Sequence, residues 1–150
     1  DLDDTTRGTL EDQVARGWFD SDQRQAAEWL IQRSDDTNRP ERLADFANRW
    51  ADWEANAAGE WLGEMVEKYG SQSDKAVRRF ATAIAQKDPQ TALDWVHTII
   101  DPNERQKAAR QVGQQFAMRM MDDVDQFVAN SSLNEAERAT VLQASKQARY

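Results

Sequence analysis

Four aromatic residues recur at nearly even intervals along this chain: Trp29, Trp61, Trp95 and Phe127 lie 32, 34 and 32 residues apart. The same offsets align Val14, Phe46, Phe80 and Val112, and again Trp18, Trp50, Ile84 and Phe116. Small residues keep the register, as Ala15, Ala47, Ala81 and Gly113 and as Ala26, Ala58 and Ala92. Self-similarity at this period marks a repeat of two helices and their turns. One helical hairpin has too little apolar surface to fold alone, so copies must stack and share a core. The small residues permit close helix approach, and the aromatics fill the space between hairpins.

The clearest copy runs from Asp88 to Trp95, with counterparts at Glu54–Trp61 and Asp22–Trp29. Asp88-Pro89 reads as an N-cap followed by proline at the first helical position, where its missing N–H costs nothing. Asp101-Pro102 repeats the device ahead of Ala108, Ala109, Val112 and Phe116. Residues 1–8 are polar and are expected to fray. Thr9 is the expected first cap, with Asp12 three residues on and Leu10, Val14 and Trp18 as an inward stripe. Asp20 or Ser21 restarts the chain, with Gln23 completing a capping box to Asp20. Pro40 opens a helix whose inward face is Leu43, Phe46, Ala47 and Trp50. Gly70 closes the next helix in a left-handed conformation, and Ser73 caps the one after. Ser132-Leu133-Asn134-Glu135 reads as a capping box for a final helix. The hairpins fall at about 9–33, 40–69, 74–100 and 102–130, and a capping helix at 133–149. The expected fold is all-α: a right-handed stack of antiparallel helical hairpins of about nine helices, forming one domain over 9–150.

The pattern resembles the α-solenoids of the tetratricopeptide-like and HEAT-like kind. Its Trp-x-x-Leu-Gly-x-x-Tyr signature is missing, however, and Asp-Pro here opens the second helix of a unit instead of closing one. A nearer resemblance is to the Ala/Trp-rich paired-helix repeats of uncharacterised bacterial envelope proteins, carried by Arg42–Leu62 and Arg78–Val96. That resemblance implies a stacked helical fold and no transferable activity.

Charge and composition narrow the function classes. A net charge of −8 opposes contact with a nucleic-acid backbone or anionic lipid. With no cysteine, disulfides, thiolate catalysis and thiolate zinc sites are excluded. No apolar run reaches the ~20 residues of a membrane span, so direct membrane insertion is not expected. The chain opens with Asp, which reads as a processed or truncated product, and an exported or periplasmic location is favoured over a cytoplasmic one. Asp1-Leu2-Asp3-Asp4-Thr5 resembles the nucleophile motif of haloacid-dehalogenase-like phosphatases, but no βαβ pattern follows to hold it. His97, the sole histidine, has no nameable partner for a triad or a metal, and reads as structural and partly exposed. Asp122, Asp123 and Asp125 lack the glycine and terminal Glu of a calcium loop. No catalytic, metal or cofactor residue is expected, and none is assigned.

What departs from the repeat is where function is sought. Trp53 lies outside the aromatic columns; its counterparts are Ser21 and Lys87, both polar. With Trp50 nearby, it would form an aromatic platform at the inter-helix turn, beside Asp52 and Glu54. Glu60, Glu64 and Glu67, at i, i+4 and i+7, line one helix face as an acidic stripe. Met118, Met120 and Met121 are expected to fill gaps in the core. The candidate partner-binding set is therefore Trp53, Glu60, Glu64 and Glu67. The expected function is a non-catalytic helical-repeat module that binds or scaffolds a protein or peptide, with a basic partner suiting the acidic surface. The alternative is an accessory helical domain of an envelope or glycan-acting enzyme whose catalytic part lies outside this chain. The sequence leaves the oligomeric state open.

Overall fold

A computed structural model describes residues 3–19, 21–119 and 122–147. All regular structure among them is helical: α1 (Asp4–Phe19), α2 (Gln23–Gln32), α3 (Arg39–Ala51), α4 (Ala55–Tyr69), α5 (Asp74–Ile84), α6 (Pro89–Thr98), α7 (Pro102–Met118), α8 (Val124–Ala129) and α9 (Glu135–Gln147). Eight of these have ten or more residues, whereas α8 is a single short stretch of 6, so the expectation of nine full helices is corrected to eight. The Asp123 side chain makes no capping bond to start α8, and Asn130 ends it within two turns. Asp1, Leu2, Asp20, Met120, Met121 and the end of the expected capping helix lie outside the described residues.

Helix starts follow the local hydrogen bonds more closely than the expected caps. The α1 helix begins at Asp4, inside the stretch expected to fray. Asp3 causes this: its carboxylate accepts from the Thr6 amide at 2.6 Å, a bond that also holds its pKa below the ordinary carboxylate value. Thr9, expected as the cap, sits in mid-helix with its hydroxyl donating to the Thr5 carbonyl at 3.0 Å. Asp22, not Asp20 or Ser21, caps α2 by accepting from Gln25 N. Asp88 and Asp101 cap α6 and α7 as expected, accepting from Thr91 N and Asn103 N. Ser73 stands at the start of α5 without capping it, and its hydroxyl donates to the Met65 carbonyl instead. The last capping box is reciprocal between Asn134 and Glu137, two residues beyond the expected pair. Gly70 has the expected positive φ of 59°, but its ψ of −127° lies outside the αL basin near +47°.

The helices pair as α1 with α2, α3 with α4 and α5 with α6, and α3, α5, α7 and α9 form a second series of contacts. Part of the buried core follows the aligned columns: of the opening aromatic column Trp61 is buried, whereas Trp29, Trp95 and Phe127 are half-buried, as is Trp18. Phe46, Phe80 and Val112 are buried, as are Trp50, Ile84 and Phe116, and the alanines at 26, 47, 58, 81 and 92. Close approach is most acute between α7 and α9. A Cβ on Gly113 would lie 2.6 Å from the Val141 carbonyl oxygen and 2.8 Å from the Ala144 Cβ.

Polar side chains tie elements across that core. Lys75 donates to Glu41, Arg79 to Asp45, Arg78 to Gln111, Arg105 to Glu137 and Thr140 to Gln106, across separations of 32 to 34 residues. The buried Asp74 carboxylate accepts from the Ile100 and Asp101 amides at 3.0 Å each. Arg105 donates to the Ile99 carbonyl at 2.8 Å, so the α6–α7 linker is held from both sides. Arg42, also buried, donates to the Leu30 carbonyl and pairs with Glu11 at 3.0 Å and Asp12 at 3.2 Å. These bonds offset the desolvation that burying such groups costs.

The inward stripe of α1 needs correction. Leu10 and Val14 are exposed, and the residues that α1 buries are Ala15 and Phe19. Met118 likewise stands exposed at the end of α7 instead of filling the core.

Candidate functional site: a groove between two successive turns

The α3–α4 turn carries Trp53 because the chain leaves α3 after Ala51, and α4 restarts only at Ala55. The three residues between them, Asp52, Trp53 and Glu54, are all exposed, Trp53 at 60%. Its ring does not stack with Trp50, which is buried and turned to Trp61 with centroids 5.7 Å apart. Trp53 instead meets the edge of Phe19 at 6.3 Å and 84°. The residue expected to hang off one hairpin therefore leans on the end of α1.

Beside Trp53 opens a groove of about 250 Å³, running from the α3–α4 turn to the α5–α6 turn. Its floor is apolar. Phe80 and Ile84 of α5 are buried there, and Trp95 of α6 meets Phe80 edge to face at 5.4 Å. Gly59 of α4 keeps the floor low, because a Cβ there would stand 3.5 Å from Phe80 and 3.7 Å from Trp95. The rim is polar, with Asp52 and Asn56 on one side and Lys87, Asp88 and Thr91 on the other. An apolar floor with a few polar groups at its edge is the usual make-up of a binding cleft. Lys87 is the aligned counterpart of Trp53, 34 residues on, and both turns line the opening.

Glu60, Glu64 and Glu67 all stand exposed along α4, in different surroundings. Glu60 lines a shallow depression with Glu54, Ala55 and Asn56, and the last two also line the groove. Glu64 is turned to Arg24 of α2, which it meets at 2.9 Å while Arg24 also reaches Glu28 at 3.4 Å. The bond to Glu64, with the charges of both glutamates, raises the Arg24 guanidinium above its ordinary pKa. Glu67 is exposed further along α4 and lines neither opening. Of the four sequence candidates, Trp53 lines the groove and Glu60 the adjoining depression. Sequence reasoning misses Gly59, Phe80 and Trp95 as a groove floor, since all three look like core or spacer. The available signal was register: Trp53 and Lys87 share one station.

A second opening of about 170 Å³ lies between α2 and α4, lined by Ile31, Trp61, Met65 and Tyr69. Arg39 sits over the Tyr69 ring at 4.7 Å. His97 is exposed on α6. Among the described residues no group of three or more His, Asp or Glu converges as a metal site, and no helix is long and apolar enough to cross a membrane.

No family model, curated protein or solved structure matches this chain, so its resemblance to paired-helix repeats rests on its own columns and on its all-α fold.

Proposed function

We propose that the chain is a non-catalytic α-solenoid that binds a protein or peptide segment in the groove between Trp53 and Lys87. The repeat reading is supported by the buried columns, by the α3–α5–α7–α9 series and by polar ties one unit apart. The binding reading rests on one observation above the others. A tryptophan is left 60% exposed beside a groove with an apolar floor and a polar rim, at a station whose counterparts are polar. Tryptophan at the edge of a desolvated pocket is the typical anchor of an interface. The surroundings favour a basic partner, since Asp52, Asp88, Glu54 and Glu60 border the two openings against Lys87 alone.

A peptide-display selection on the wild-type chain tests this. Enriched sequences should combine an apolar or arginine anchor with net positive charge. They should lose binding to Trp53→Ala, and to Gly59→Leu, which fills the floor. Enrichment indifferent to both substitutions would refute the site. A second reading, an accessory domain beside a glycan-acting enzyme, draws on Asn56, Thr91 and Asp88 at the rim of an aromatic floor. A glycan array bound through Trp53, with no peptide selected, would favour it.

A further inference from the structure

The groove between the α3–α4 and α5–α6 turns has a definite capacity. At about 250 Å³ it falls below the ~300–1,000 Å³ of pockets that enclose a whole small molecule, so it suits one large inserted side chain. Groups at its edge are left uncommitted among the described residues. The Trp53 indole is 60% exposed, and its ring contact is the edge of Phe19. Asp52, its exposed neighbour in the chain, lines the groove with a carboxylate that makes no hydrogen bond or ion pair. Asp88 uses one oxygen to accept from the Thr91 amide and leaves the other open.

We infer that the side chain this groove takes is an arginine of the partner protein or peptide. Its guanidinium stacks on the Trp53 ring and pairs with Asp52, and its stem lies along Phe80, Ile84 and Trp95. The inference rests on the binding reading above and narrows it from a basic segment to one residue type.

The chain itself shows the arrangement elsewhere. Arg39 lies over the Tyr69 ring at 4.7 Å while it pairs with Asp36 at 2.8 Å, and Arg33 lies over the Trp29 ring at 4.2 Å. Trp53 and Asp52 offer the same combination of aromatic face and carboxylate, and among the described residues no cation covers that ring. Other side chains fit less well. An acidic one meets Asp52 and Asp88. A purely apolar one covers the floor but takes water from Asp52 and Asn56 and returns no hydrogen bond. Lysine carries a compact, strongly hydrated charge with no flat face, whereas the guanidinium is planar, weakly hydrated and able to stack and to pair with a carboxylate at once. The apolar floor suits the methylene stem behind that head. Lys87, exposed and without a hydrogen bond or ion pair among the described residues, is the one rim charge that opposes an arginine.

The test titrates the intact ¹⁵N-labelled chain with N-acetyl-arginine N-methylamide and with its lysine, citrulline and leucine counterparts. The indole signals of Trp53 and Trp95 are followed. Citrulline keeps the shape of arginine and loses its charge. The arginine compound should shift both indoles to saturation and bind about fivefold or more tighter than each of the others, the contrast expected of one exposed cation–π contact. Asp52→Asn should bring arginine down towards citrulline, and Trp53→Leu, read at Trp95, should weaken arginine by about fivefold. Lys87→Met should strengthen arginine and leave leucine unchanged. Leucine binding as tightly as arginine would overturn the inference and leave the groove a peptide site, and lysine equal to arginine would overturn it and leave the partner basic. If none of the four compounds moves either indole, the inference falls, and the display selection separates the two readings. Selected peptides lost on Trp53→Ala would keep the groove, and none so lost would bring down both.

Discussion

Replacing Gly113 with alanine adds one methyl group where α7 crosses α9. That methyl would sit 2.6 Å from the Val141 carbonyl oxygen, 2.8 Å from the Ala144 Cβ and 3.2 Å from the Val141 Cα. Favourable contacts between such atoms lie at about 3.5–4.0 Å, so the helices must part by most of an ångström. Two of the three opposing atoms are backbone, so no rotamer change relieves the clash. Overpacking costs about 1–3 kcal/mol, and with backbone atoms opposite the methyl the upper part of that range, ~2–3 kcal/mol, applies here. Alanine returns up to ~1 kcal/mol through its higher helix propensity, which leaves a net loss of about 1–2 kcal/mol. For a chain of this length that lowers Tm by roughly 2–8 °C. Gly63→Ala, in the middle of α4 with no atom within 4 Å of the new methyl, is the control and should gain up to ~1 kcal/mol. Urea denaturation followed by circular dichroism measures both. If Gly113→Ala proves as stable as the wild type, α7 and α9 do not pack in the close contact described.

Other substitutions probe the ties between units. Asp74→Ala strips both amides of the α6–α7 linker of their acceptor and should cost about 2–4 kcal/mol in urea, with Asp74→Asn in between because one oxygen remains. Arg42→Ala should cost about 2–3 kcal/mol, less than for a fully buried pair because Asp12 stays half in water, and should speed amide exchange in α1 before the rest of the chain. Glu41 bridges α3 to Lys75 and Arg79 of α5. The hydrogen bond from Lys75, then the two positive charges, hold its carboxyl below the ordinary value. Its contribution is therefore complete above the unfolded value of about 4.3 and fades as pH falls through the lowered folded value. Because the pair is largely exposed, Glu41→Gln should lose no more than ~1 kcal/mol at pH 7, and the difference in urea midpoint should shrink as pH falls from 6 towards 3 or as salt rises.

Much of the fold is legible in the sequence because burial repeats. Phe46 and Phe80, Trp50 and Ile84, Ala47 and Ala81 occupy like environments, so their spacing carries three-dimensional information. Register fails on α1. Val14 matches its column in type but stands 53% exposed on this first described helix. Register also fails where hydrogen bonding decides. Asp22 competes with Asp20 and Ser21 for one cap, and Asn134 with Ser132, and only backbone direction settles which side chain reaches an amide. The candidate site was half legible. Trp53 stands out as an aromatic in a polar station, but a stripe of glutamates looks uniform in one dimension. In space Glu64 is drawn to Arg24 on another helix, while Glu60 stays beside the groove. Gly59 is silent in sequence, since its importance lies in the Phe80 and Trp95 rings that it lies against.

The six tryptophans make the groove assignment open to one direct measurement. Each indole N–H gives its own signal in a ¹H–¹⁵N spectrum, and the tightest basic peptide from the display selection can be titrated against all six at once. The Trp53 and Trp95 indoles should shift progressively to saturation. Those of Trp50 and Trp61, buried without an acceptor, should stay in place, and Trp18 on the α1 face should not respond. Shifts confined to Trp18 or Trp29, or saturable binding that leaves Trp53 and Trp95 unmoved, would contradict a ligand seated between the two turns.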